Sequence, residues 1–382
     1  TVKLLKIATS LPLLLAAPLL MAASQVELYG IVDGGLYVKK TSGKDTTIGI
    51  DSGRKSGSRW GLRGSEDLGN GYTVSFKLEN GFKLDNGEMD QASAAAPEGR
   101  MFGREATLNF HTPYGTIGMG RMGGLLSGMG TYGLMGTNSS PFAAAWSDAK
   151  YNLLFTGNNR YDNTIAYKSP TFNNLTLYAQ YSFNADGPEY EKWRDNSEMA
   201  SVAATYISGP LKVVGGVQWR DTGISKKLTD GVVKDNSATQ RQKNALMAAT
   251  SVSYDFGTWK LYTAAQLLHG AEAAGTVMTA SGKRGEKGLD GYALSLGANV
   301  KLYGGDLKAA VAYADGEDKG KTASYGDYEA VQSSLGYLYP LSKRTSVYTV
   351  FSYWHVRKVH KTVATNSVTD NFSFALGLSH KF

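Results

Sequence analysis

The chain has 382 residues, 42% hydrophobic and 11% aromatic, with 46 glycines, 23 tyrosines and no cysteine. Lacking cysteine, it holds no disulfide, zinc ribbon, iron–sulfur cluster or catalytic thiol, and its aromatic content sets it apart from a disordered chain. A formal charge of +7, with basic residues dispersed among acidic ones, does not describe a nucleic-acid-binding surface.

At the start, Lys3 and Lys6 precede an apolar run from Leu11 to Ala23 that Pro12 and Pro18 interrupt. Small residues, Ala22 and Ser24, close it. A basic start, an apolar middle and a small-residue end read as a secretory leader over residues 1–24, followed by one domain over 25–382. No other window holds the 18 apolar residues that a membrane-crossing helix needs.

From there the pattern is period 2. Candidate strands fall in order near 25–39, 56–67, 71–84, 101–112, 115–121, 160–169, 174–184, 197–208, 210–221, 243–256, 258–270, 289–303, 305–315, 327–340, 343–358 and 371–382. The last is the clearest: Phe372, Phe374, Leu376, Leu378 and Phe382 alternate with small or polar residues, and only His380 breaks the apolar face. Short turns such as Gly69-Asn70-Gly71, Pro113-Tyr114-Gly115 and Gly304-Gly305 alternate with long polar connections, among them 40–55, 85–100, 122–159, 222–242 and 271–288. An up-and-down barrel with one elaborated rim has that arrangement. A leader, sixteen strands of about ten residues and a polar second face predict an all-β, 16-stranded antiparallel transmembrane barrel. Lipid meets the apolar face and water the other; this many strands enclose a channel. A secreted soluble β-protein is the competing reading.

Several stretches resemble the general diffusion porins of Gram-negative bacteria, particularly the β-proteobacterial type. They are VELYGIVDGGL at 26–36, SRWGLRGSEDLGNG at 58–71, FKLENGF at 76–82, GTIGMGR at 115–121, NRYDNTIAYKSPTF at 159–172, YPLSKRTSVY at 339–348 and GLSHKF at 377–382. The resemblance implies a homotrimer in the bacterial outer membrane, surrounded by its lipid, and a long third loop folded into the lumen as a constriction. It also implies that the terminal Phe382 belongs to the signal read by the barrel-assembly machinery.

On the family pattern the wall facing that loop carries Arg59, Arg104 and Arg160. Strand parity puts Arg59, Arg160 and Lys77 on the polar face, with Tyr161 opposite Arg160; at Arg104 parity is ambiguous. The loop falls at 122–159, and its one carboxylate is Asp148; Asn138, Ser139 and Ser140 precede Pro141 and Phe142 where family members usually place acids. These residues predict a constriction with excess positive charge and mild anion preference.

Other motifs carry less. Gly128-Met-Gly-Thr-Tyr-Gly133 matches a dinucleotide fingerprint but lies in a glycine-rich loop without the strand and helix it needs. The five histidines are far apart and none adjoins a nucleophile motif. The expected function is therefore passive diffusion of small hydrophilic solutes and ions, with no catalysis, cofactor or metal. A substrate-specific outer-membrane channel and a surface receptor or adhesin barrel are the alternatives.

Overall fold

The computed structural model describes residues 25–91, 100–157, 159–185, 196–221, 227–229, 232–234, 244–281, 286–363 and 365–382. The leader expected over 1–24 lies outside the described residues.

Sixteen strands form the wall. They are β1 Gln25–Thr41, β2 Arg59–Gly69, β3 Tyr72–Phe82, β4 Glu105–Thr112, β5 Gly115–Gly123, β6 Arg160–Lys168, β7 Leu175–Ser182 and β8 Glu198–Ser208. Then follow β9 Leu211–Asp221, β10 Ala245–Asp255, β11 Trp259–Ala271, β12 Leu289–Leu302, β13 Gly305–Asp318, β14 Tyr325–Pro340, β15 Thr345–His360 and β16 Asn366–Lys381. Each pairs antiparallel with the next, and β1 pairs with β16 from Ile31↔Lys381 to Thr41↔Asn371. The sheet closes, so the wall has no edge to satisfy in lipid. No described helix is long and apolar enough to cross a membrane.

Side-chain alternation sets inside from outside. On β16, Phe372, Phe374, Leu376 and Leu378 are exposed, while Asn371, Ser373, Ala375 and Ser379 are buried. The same holds on β12, where Leu294 and Leu296 point out and Ala293 and Ser295 point in. The apolar face is the outer one, the opposite of a soluble sandwich.

Closure continues one step past β16. The Gly30 N–H donates to the Phe382 carbonyl at 3.2 Å, and the Phe382 N–H to Gly30 at 3.1 Å. The Phe382 ring lies over Gly30, where an added Cβ would stand 2.3 Å from the ring and 2.6 Å from the Arg59 carbonyl oxygen. The backbone oxygen cannot swing away as a side chain can. We expect Gly30→Val to destabilise closure by about 1–3 kcal/mol. Heat-shifted gel mobility of refolded protein checks this, and an unchanged transition temperature would refute it.

The strands β14, β15 and β16 are each 16 residues long. β16 begins at Asn366 rather than at 371, because Val368 and Asp370 keep pairing with β15 beyond the clear alternation. A second difference lies in the first long connection. Residues Thr47–Ser52 form a short strand on the upper half of β1, opposite Gly34–Lys39. β2 pairs with β1 only from Gln25 to Ile31. Between these two pieces, residues 53–58 turn toward the inner face. Buried Asp33 fastens them: its carboxylate accepts from the Lys55 N–H at 3.2 Å and the Tyr348 hydroxyl at 2.8 Å, and its carbonyl from the Gly53 N–H and the Ser58 hydroxyl.

Candidate functional site: a basic opening beside the third long connection

The connection 124–159 packs on the inner face of the wall. Its Leu125, Leu126, Met135, Leu153, Leu154 and Phe155 share an apolar cluster with inward Val214, Ala249, Ala264, Ala293, Ala312 and Ala330. Small inward residues leave room for this second layer. Three inward glutamines hold its backbone. Gln180 on β7 accepts from Leu125 N–H and donates to the Gly123 carbonyl, and Gln266 on β11 does the same with both backbone groups of Thr156. Gln332 on β14 donates to the Asp148 and Lys150 carbonyls at 2.7 and 3.3 Å. Each amide fits both a donor and an acceptor, so one side chain can satisfy a loop that has no ladder of its own.

The four basic residues singled out in the sequence, Arg59, Lys77, Arg104 and Arg160, line one opening between this wall and the connection. Arg104 precedes β4, so strand parity does not apply to it. Lys150 from the connection also lines the opening. Gly53, Ser56 and Gly57 of the inward detour lie there too.

Carboxylates on the wall, not on the connection, stand among these cations. Glu79 is buried and receives Arg104 Nε at 2.7 Å and the Tyr29 hydroxyl at 2.9 Å, with Lys77 at 3.6 Å and Arg59 at 3.7 Å. Fully buried Glu105 takes Lys77 Nζ at 2.7 Å and the Thr131 N–H of the connection. Asp162 holds Arg121 at 2.6 Å and also pairs with Arg100. Sequence reasoning missed these partners, although Glu79 shares the polar face of β3 with Lys77. Removing Glu79 leaves three cations facing one another with fewer partners. We expect Glu79→Gln to cost about 3–5 kcal/mol of folding stability while strengthening anion preference. Thermal unfolding and the zero-current potential report the two effects, and a variant as stable as the parent would refute the first.

The five residues expected on the constriction loop lie on the connection, but none of them lines the opening. Asp148 does not line the opening: it pairs with Lys39 at 3.5 Å, accepts from Asn371 at 3.4 Å, and faces a separate cavity. Asn138 is buried against β10, accepting from Ser253 Oγ at 2.7 Å and donating to Ser251 Oγ at 2.8 Å. Pro141 approaches Gly297 so closely that a Cβ there would stand 2.6 Å from its ring, and Phe142 packs in the same way on Gly336. Ser140 is buried, its hydroxyl accepting from the Phe142 N–H. These four are anchors. Tyr161 also differs from its outward parity. A register shift between Gly120 and Met122, and left-handed Asn163, turn it inward, where Gln218 donates to its hydroxyl at 2.9 Å.

A closed 16-stranded antiparallel barrel, apolar outside and polar inside, defines a transmembrane barrel protein. A model of the Gram-negative porin family matches residues 8–358, and the chain belongs to that family. An outer membrane porin protein of Bordetella pertussis is 29% identical over 97% of this chain and 99% of its own length. Outer membrane porin protein 32 of Delftia acidovorans is 28% identical over 89% of this chain and 86% of its own. Among solved structures, an anion-selective porin from Comamonas acidovorans superimposes with a TM-score of 0.66 at 22% identity, covering 94% of this chain and all of that one. OmpT of Vibrio cholerae, in a trimer form, gives 0.59 at 17% identity, covering 94% of this chain and 100% of that one. The protein is an outer-membrane porin.

Proposed function

We propose that this porin is a mildly anion-selective homotrimeric channel whose constriction is the opening between the arginine-bearing wall and the connection 124–159. Small hydrophilic solutes and ions cross it passively, without catalysis or a cofactor. One observation carries the reading: the lining holds Arg59, Lys77, Arg104, Arg160 and Lys150 against only Glu79 and Asp90. Such an excess in a narrow, low-dielectric passage concentrates anions and repels cations. The contacts of the connection with the inward faces of strands from β7 to β15 support its place across the lumen. The anion selectivity of the Comamonas porin and the trimeric form of OmpT support the rest of the reading. Residues 1–24 act as the leader, and terminal Phe382, seated on the first strand, serves the assembly machinery.

The experiment is single-channel recording across a planar bilayer under a potassium chloride gradient. Current steps in groups of three with a zero-current potential on the chloride side are expected. A potential on the potassium side would overturn the selectivity, and steps without grouping would overturn the trimer.

A further inference from the structure

A second cavity lies behind the connection, toward the rim of long loops, with a volume of about 340 Å³. Lys39, Lys150 and Lys358 project into it beside Asp148, and Leu153, Val277, Trp354 and Val356 supply apolar walls. Asp148 is committed to Lys39 and Asn371. Among the described residues, Lys150 and Lys358 have no carboxylate within ion-pair distance; Lys358 Nζ stands 5.5 Å over the Tyr325 ring. Three ammonium groups with one carboxylate leave two positive charges uncompensated.

The floor is fixed. Gln332 and Ser352 both donate to the Asp148 carbonyl, at 2.7 and 3.0 Å. Lys150 lines this cavity and also the basic opening. Burial pulls its ammonium below the ordinary lysine range, nearby Asp148 opposes this, and Lys39 and Arg54 add to it. A bound anion would relieve that cost.

We propose that this cavity is a capture site for small organic dianions with an apolar body, from which Lys150 passes them to the opening. The two uncompensated ammonium groups select the double charge, and the Trp354 side of the cavity selects the apolar body. A singly charged aromatic acid leaves one ammonium unpaired, and an inorganic dianion leaves the apolar walls uncovered. This inference rests on the pore proposed above, and its test has a separate readout.

The test is block of potassium chloride current through the full-length mature channel. Phthalate is expected to block saturably, with benzoate and sulfate each about tenfold weaker. Lys358→Gln should raise the half-blocking phthalate concentration about tenfold, the weight of one charge-assisted contact, and Lys358→Arg should restore it. If Lys358→Gln does not assemble, Thr369→Glu places a carboxylate in the same cavity and should abolish the block. Phthalate acting no better than sulfate or benzoate, or unaffected by Lys358→Gln or Thr369→Glu, overturns the capture site. The zero-current potential, read in the same traces, reports the selectivity of the pore independently.

Discussion

Replacing Lys150 and Arg160 by glutamate is expected to move the zero-current potential from the chloride side to the potassium side. Both side chains line the opening, which carries five basic groups and two carboxylates. The double exchange turns an excess of three positive charges into one negative charge. Both sites are chosen because neither is bound to Glu79, whose partners are Lys77, Arg59 and Arg104. Exchanging one of those three would disturb a buried ion cluster as well as the field, and the two effects would be confounded. The measurement is the permeability ratio at low salt, where screening is weakest. A ratio that still favours chloride would place the selectivity filter elsewhere in the channel.

Asn138→Leu is expected to release the connection from the wall. The substitution keeps the volume but strands the buried Ser253 hydroxyl, which donates to Asn138 Oδ1, and removes the Asn138 N–H donor from the buried Ser251 hydroxyl and carbonyl, leaving that hydroxyl only Met135 Sδ among the described residues. Each buried group left without a partner costs about 1–3 kcal/mol, a total comparable to the stability of a docked loop segment. Single-channel conductance should rise and become noisy, and protease should cleave near residue 138 in the folded barrel. Asn138→Asp keeps an acceptor for Ser253 and should show a weaker version of both changes. Quiet, parental conductance in the leucine variant would refute the anchoring role.

Much of the barrel was legible because the membrane imposes period 2 on every strand, and alternation such as that of Phe374, Ala375 and Leu376 survives in one sequence. Strands with weak alternation, β8 and β10 among them, are still in the wall; their inward Ala203 and Ala249 give little polarity contrast because they seat the connection. Of the four basic residues, parity put Arg59, Lys77 and Arg160 on the polar face and the resemblance alone offered Arg104; all four line one opening. Their carboxylate partners were not foreseen, because sequence does not say which inward acid faces which base across neighbouring strands. Glu105 reaches Lys77 only because β4 and β3 pair Thr107 with Lys77 and Glu105 with Glu79. Asp148 was expected opposite the arginines; at Ser147–Ala149 the chain turns its carboxylate to Lys39, so that of the two residues only Lys150 also lines the basic opening. Half of the inward detour at 53–58 was read as strand: the candidate at 56–67 begins instead at Arg59.

That detour divides labour along the chain. The strand pieces on either side, Thr47–Ser52 and Arg59–Gly69, keep their own ladders on β1. The residues between them form no strand of their own and reach the passage, tied to the wall at Asp33 and the Phe82 N–H. Lengthening, shortening or recharging it would therefore retune what the channel admits while the register of all sixteen strands stays put. A lineage can explore new diets through such a segment without renegotiating the architecture that keeps the cell envelope sealed.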